Sequence, residues 1–254
     1  MEWHHILTKH DGDQVTITLN RPERRNALSF DHIAELTRAF EQVAATDARG
    51  IVLAAAGPVF CSGHDFADMV GADSDAIRAL LASCSKLMNL IHEVPQVVLA
   101  RVHALATAAG CQLVTACDLA IASQSARFAA PGGKAGLFCT VPMVEIARNI
   151  GRKRAVELSF TGSSIDADTA ADWGLINHVV PDVQLEEAAR EFLVRATRGS
   201  AESKALGKRA LYAQLDRSMA DAYPFTMDEM AAASQIDDAQ EGIQAFLEKR
   251  PPTW

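Results

Sequence analysis

The sequence predicts an α/β protein with a largely parallel sheet and a helical C-terminal tail. Short apolar runs of strand length alternate with stretches of helical period, the order that layered α/β folds require. Strand signals stop near Gln184, and helical periods continue to the end. With 254 residues, 49% of them hydrophobic, the chain can bury roughly three quarters of its unfolded surface, enough for one large core.

Trp3 to Leu7 and Val15 to Leu19 flank the turn-forming Asp11-Gly12-Asp13, which predicts a β-hairpin. After Asn20-Arg21-Pro22, Ser29 or Asp31 is placed to cap a helix. Its Ile33, Leu36, Phe40 and Val43 follow the 3.6-residue period, and it ends near Thr46. Gly50 to Ala56 is an apolar run short enough for a strand, Gly57 to Met69 is expected to be irregular, and a long helix follows from about residue 75 to 92. Pro95 and β-branched residues make Gln96 to His103 a strand. Ala104 to Ala109 is small and loose, a short buried helix begins at about Ala109, and Leu119 to Ala122 returns as a strand. The helix near Glu186 to Arg198 is amphipathic, and a tail of this kind is expected to pack on a neighbouring copy.

Composition excludes several classes of function. The formal charge is −8 with signs mixed along the chain, so no basic stripe is available for nucleic acid. The apolar stretch Gln96 to Ala109 is too short for a bilayer and is interrupted by Arg101 and His103, so no membrane partner is expected. Met1-Glu2-Trp3-His4-His5 lacks the pattern of a targeting segment, and a cytoplasmic location is the expectation. The five cysteines form no Cys-x-x-Cys pair and leave an odd one in any disulfide scheme, which favours reduced thiols. Cys61, His64 and Asp65 lack a second ligand pair, so no metal is expected. Dinucleotide, P-loop and serine-elbow motifs do not occur.

Two loops hold the chemistry. In Phe60-Cys61-Ser62-Gly63-His64-Asp65, Gly63 permits a sharp turn that lets the next amide point into a cleft, while Asp65 accepts local backbone bonds. Ala106-Thr107-Ala108-Ala109-Gly110 precedes a helix, whose first N–H groups lack internal partners and carry the positive end of the dipole. Two such amides converging on one carbonyl oxygen form an oxyanion hole, each donor being worth about 10²–10³ in rate. Each loop also reads as ordinary packing: a turn, and a tight helix start.

Together these loops resemble the enoyl-CoA hydratase/isomerase, or crotonase, family. Asn20-Arg21-Pro22 followed by Asn26-Ala27-Leu28 is similar to its N-terminal signature, the Ser62 to Asp65 loop to its first oxyanion loop, and Ala109-Gly110-Cys111-Gln112-Leu113 with Cys117-Asp118-Leu119 to its second. Phe128, Pro131, Gly136-Leu137, Thr161-Gly162, Gly174-Leu175-Ile176 and Phe246 to Pro251 follow in family order, so the resemblance covers nearly the whole chain. It implies a crotonase-like ββα spiral core over residues 1–195, which binds an acyl-CoA thioester, and a helical oligomerisation region over 196–254 that builds a homotrimer or dimer of trimers. It makes the amides of His64 and Ala109 the oxyanion donors and assigns substrate contacts to Arg25, Ser62, Gly63, His64, Asp65, Ala109 and Gly110, with Arg24 as the other candidate for a CoA phosphate. No cofactor is implied beyond coenzyme A as part of the substrate.

The two glutamates with which hydratases of this family handle water are replaced by Gln112 and Gly132. Gln112 can hydrogen-bond water but cannot take its proton, and Gly132 can do neither, so ordinary hydration is not expected. His64, Cys139, Thr140 and Asp68 are the groups left for other chemistry. Their structural readings are an orienting ring, a packed thiol, a helix cap and a surface acid. Three activities share this fold: an enoyl-CoA hydratase-like lyase or isomerase of altered mechanism, a methylmalonyl-CoA-type decarboxylase, and a non-catalytic acyl-CoA binder. Glutamates restored together at 112 and 132 are expected to raise hydration, with the φ of Gly132 as the obstacle.

Overall fold

A computed structural model describes residues 3–254; Met1 and Glu2 of the opening stretch lie outside it. The predicted hairpin is present as β1 (Ile6–Asp11) and β2 (Gln14–Leu19), with the turn narrowed to Gly12 and Asp13. Ser29, not Asp31, caps α1 (Phe30–Ala44), its hydroxyl accepting from the His32 amide. There follow β3 (Gly50–Ala55), β4 (Val59–Cys61), α2 (Ser74–Glu93), β5 (Val97–Val102), β6 (Leu105–Thr107), α3 (Ala109–Ala116), β7 (Leu119–Ser123), β8 (Arg127–Ala129) and α4 (Met143–Thr161), which is broken at Gly151. Next come β9 (Ile165–Asp166), α5 (Ala167–Trp173), β10 (His178–Val180) and the tail helices α6 (Leu185–Thr197), α7 (Ala201–Gln214), α8 (Met219–Ala233) and α9 (Asp237–Glu248).

The strands form a six-stranded sheet in the order β1-β2-β3-β5-β7-β10 and a four-stranded one in the order β4-β6-β8-β9. Apart from the pairs β1–β2 and β8–β9, all neighbours are parallel. Each turn of the chain places a long strand in the first sheet, a short one in the second, and then a helix, as in β3-β4-α2, β5-β6-α3 and β7-β8-α4. This is the ββα spiral. Residues expected to be irregular or loose contain β4 and β6, whose three residues each are too few for a period to register.

Along β3 both faces of the large sheet are buried. Ile51 and Leu53 of β3 join the main core with Phe40, Leu80 and Leu87, while Val52 and Ala54 pack with Leu185, Ala189 and Leu193 of α6. That is why β3 reads as an unbroken apolar run. The amphipathic face expected to meet a neighbouring copy is therefore spent, for α6, on its own sheet. A Cβ on Gly50 would lie 2.8 Å from Leu193 Cδ2, so the glycine lets that helix approach. The anticipated division at 195/196 falls in the last turn of α6.

Candidate active site

Asn26 anchors the first loop. It is fully buried; its Nδ2 donates to Ala56 O and Val59 O, both at 2.8 Å, and its Oδ1 accepts from Arg21 N at 2.8 Å. Those bonds hold Arg25 and Asn26 at left-handed φ of 54° and 53°, and Arg25 O accepts from Ser62 N at 3.1 Å. Leu28 then pairs in parallel with the loop, its N–H donating to Gly63 O (2.8 Å) and its carbonyl accepting from Asp65 N (3.0 Å). In such a pairing the residue between donor and acceptor turns its own N–H away from the partner strand. That residue is His64.

Asp65 locks this geometry. It is buried, accepts from Ala67 N at 3.1 Å, and lies 2.9 Å from Arg24 and 3.3 Å from Arg21. Burial alone would raise its pKa, but Arg24, the Ala67 amide and Arg21 together hold the carboxyl below its ordinary value. Arg21 Nη1 also donates to Ala27 O and Ser29 Oγ, so one guanidinium joins the start of α1 to the His64 loop. His32 Nδ1 meets the same Ala27 carbonyl at 3.0 Å, and burial pushes its imidazole down to about 4.

The second loop meets the first at Gly63, where φ is 92°. A Cβ there would lie 3.0 Å from Ala108 Cβ, 3.2 Å from Thr107 O and 3.3 Å from Ala109 N. Ala108 has φ 52° and ψ −120°, a conformation costly for a residue with a Cβ and typical of sites that the surroundings over-determine. Its N–H donates to Ala129 O at 2.9 Å. Ala109 then opens α3, so its N–H has no acceptor within the helix. Gly110 is obligatory because a Cβ would sit 2.3 Å from Cys61 O. The two amides singled out in the sequence thus belong to loops in direct contact.

Beside them lies an apolar cavity of about 170 Å³, walled by Met69, Ile77 and Leu81 on one side and by Leu137, Phe138 and Pro142 on another; Ser62, His64, Ala108, Gly132, Cys139 and Thr140 also line it. Ser62, His64 and Phe66 continue into an open cleft that also carries Arg24 and Arg25. Since Arg24 is paired with Asp65, Arg25 is the exposed guanidinium of this cleft with no ion pair among the described residues. A larger cavity of about 450 Å³ lies between the α1–β3 turn and the start of α7 and contains none of these side chains. It shares no lining residue with either loop, so volume alone does not locate the chemistry.

Other expected residues fall differently. Gln112 is buried and does not line the cavity, and its Oε1 has no hydrogen-bond partner. Burial raises the pKa of the Cys139 thiol, which keeps it protonated at neutral pH. Thr140 does not cap α4, whose N-cap residue is Pro142 and which has no side-chain cap; its hydroxyl instead donates to Phe138 O at 3.4 Å. Asp68 is no free surface acid, since it accepts from the first amide of α1, Phe30 N, at 2.9 Å. Burial lowers the pKa of His64, whose Nε2 lacks a hydrogen-bond partner. Among the described residues no group of three or more His, Cys, Asp or Glu side chains is placed to hold a metal. Sequence reading gave no role to Arg21 or to the wall formed by Leu137, Phe138 and Pro142. Arg21 stands in the signature triplet, which was the one signal available.

The spiral and its paired loops define a crotonase-class protein, and the chain belongs to the enoyl-CoA hydratase/isomerase family, whose sequence profile matches residues 12–254. It is 42% identical over 240 residues to enoyl-CoA hydratase domain-containing protein 3, mitochondrial, of Rattus norvegicus, covering 94% of this chain and 80% of the relative. It superposes on the crystal structure of enoyl-CoA hydratase from Mycobacterium smegmatis with a TM-score of 0.96 and 41% identity, covering 99% of each chain. For human enoyl-CoA hydratase domain-containing protein 3 the TM-score is 0.95 and the identity 38%, with coverage of 99% and 100%. These relatives overturn the cytoplasmic placement: the rat protein and its mouse and human counterparts are mitochondrial by name.

Proposed function

We propose that the chain binds an acyl-CoA thioester with its carbonyl oxygen on the amides of His64 and Ala109, and acts as an enoyl-CoA hydratase-like lyase or isomerase that works without a carboxylate pair. The reading rests on one observation above all: among the described residues no Asp or Glu lines the cavity beside the two loops. Water addition to an alkene needs a group to take one proton and a group to give another, and a missing acid or base costs about 10²–10⁴. A hole of two amides still stabilises an enolate. Ser62, His64 and Thr140 are the polar side chains within reach, with the imidazole neutral at pH 7. Arg25 meets a CoA phosphate in the adjoining cleft. A decarboxylase is less well supported, because among the described residues no Lys or Arg lines the cavity to receive a second carboxylate. A non-catalytic binder would use the same contacts.

The test is titration with acyl-CoAs alongside a crotonyl-CoA hydration assay. We expect micromolar binding, about −8 kcal/mol, and no hydration above background. Hydration at many turnovers per second, or no binding of any thioester, would defeat the proposal. Release of carbon dioxide from methylmalonyl-CoA would put the decarboxylase in its place.

We further propose a homotrimer or dimer of trimers assembled through the tail. Leu215, Met219, Met227, Met230 and Phe246 are 60–82% exposed, more apolar surface than a soluble monomer commonly leaves uncovered in one region. Sedimentation at micromolar concentration should give three or six times the chain mass, and a stable monomer would contradict it.

A further inference from the structure

We infer that the cavity beside the two loops selects an uncharged, apolar acyl group of about six carbons, with Leu81 and Phe138 setting the limit. This rests on the reading of that cavity as the acyl site of a CoA thioester. Three features lead to it.

Size is the first. The cavity measures about 170 Å³, and an apolar cavity of about 150 Å³ is known to hold a benzene ring. A six-carbon chain or a phenyl group therefore fits, a two-carbon group leaves most of the space unfilled, and a twelve-carbon chain must leave the cavity.

Chemistry is the second. Ile77 and Leu81, one helical turn apart on α2, face the space with Met69, and Leu137, Phe138 and Pro142 close it from the other side. Among the described residues no Asp, Glu, Lys or Arg belongs to the lining. A terminal carboxylate would lose its water there without gaining a partner.

Exposure is the third. Phe66, Leu137 and Phe138 are 61%, 54% and 39% exposed although they converge on one cavity. Phe138 is backed by Phe160, edge to face at 5.2 Å, so its ring is supported from outside. An apolar ligand would cover these side chains.

The experiment measures dissociation constants for acetyl-, butyryl-, hexanoyl-, phenylacetyl-, adipyl- and dodecanoyl-CoA on the full-length protein. Each added methylene should tighten binding by about fourfold up to six carbons and add little beyond. Adipyl-CoA, the six-carbon thioester with a terminal carboxylate, should bind at least about tenfold more weakly than hexanoyl-CoA. The phenylacetyl and hexanoyl arms tell whether ring or chain fits better. Leu81→Phe should weaken hexanoyl-CoA by about tenfold and acetyl-CoA by clearly less, while a circular dichroism spectrum matching wild type reports an intact fold. Phe138→Ala should move the optimum to longer chains, and it stands as the second test if Leu81→Phe fails to fold. Equal affinity across the series, an optimum at two or twelve carbons, or adipyl-CoA matching hexanoyl-CoA would overturn the inference and leave the acyl-CoA reading intact. No binding of any thioester would overturn both.

Discussion

Glutamates introduced together at Gln112 and Gly132 are expected to leave crotonyl-CoA hydration at least about 10³ below the rate of a two-carboxylate site, and to weaken acyl-CoA binding as well. At 132 the obstacle is space. Gly132 is not in the left-handed region, contrary to the obstacle anticipated from the sequence, but a Cβ would sit 2.2 Å from Leu137 O, 2.7 Å from Cys139 Sγ and 3.1 Å from Cys139 N. Two of these neighbours are backbone, so the 137–139 segment must move, and that segment is a wall of the acyl cavity. At 112 the obstacle is burial. Gln112 is 3% exposed and its Oε1 has no hydrogen-bond partner among the described residues, so a carboxyl there loses its water, which favours its protonated form. Position 112 is not part of the cavity lining and a side chain at 132 displaces that lining, so the rise in hydration anticipated from the sequence is not expected. Loss of the enoyl absorbance follows the reaction, and a thermal melt of the same variant registers the displaced loop. A double variant that turns over many times per second with an unshifted melt would show that the 132–139 segment yields freely.

Removing Lys208 should be the most costly single change in the tail. Its Nζ lies 2.7 Å from Asp118 Oδ2 and donates to Ile91 O and Gln96 O, each at 2.8 Å. Asp118 also accepts from Tyr212 Oη at 2.8 Å and Val98 N at 2.7 Å. The pair is shielded, with side-chain exposures of 8% and 14%, and it ties α7 to the end of α2 and the start of β5. Lys208→Ala leaves the Asp118 carboxylate without its cation and takes this donor from the carbonyls of Ile91 and Gln96, and breaking a buried pair costs about 3–5 kcal/mol. For a chain of this size the melting temperature should fall by on the order of 10 °C. Arg209→Ala, which removes the exposed pair to Glu229 at 3.5 Å, should cost less than about 1 kcal/mol. Equal losses for the two variants would mean that the Lys208 cluster does not anchor the tail.

Much of this protein was legible in the chain. Apolar runs bounded by Pro95 or by turn residues marked β3 and β5, the Ile33, Leu36, Phe40 and Val43 period marked α1, and the loop motifs pointed to the family. Those features are local: period, β-branching and turn chemistry act between residues close in sequence, and a motif survives in one dimension. The three-residue strands were illegible because so short a run has no period. Only the tertiary structure decided what α6 covers, since an amphipathic face states that it must be buried but not against what. It also decided that Gly63 comes up against Ala108, that Arg24 is committed to Asp65 while Arg25 has no ion pair among the described residues, that Gln112 is not part of the cavity lining, and that the 132–139 segment closes over Gly132. The approach of Gly63 to Ala108 and of Arg24 to Asp65 depends on the distance between residues far apart in sequence, set by the packing of the whole spiral, while the 132–139 segment folds back locally but has no period by which to be read.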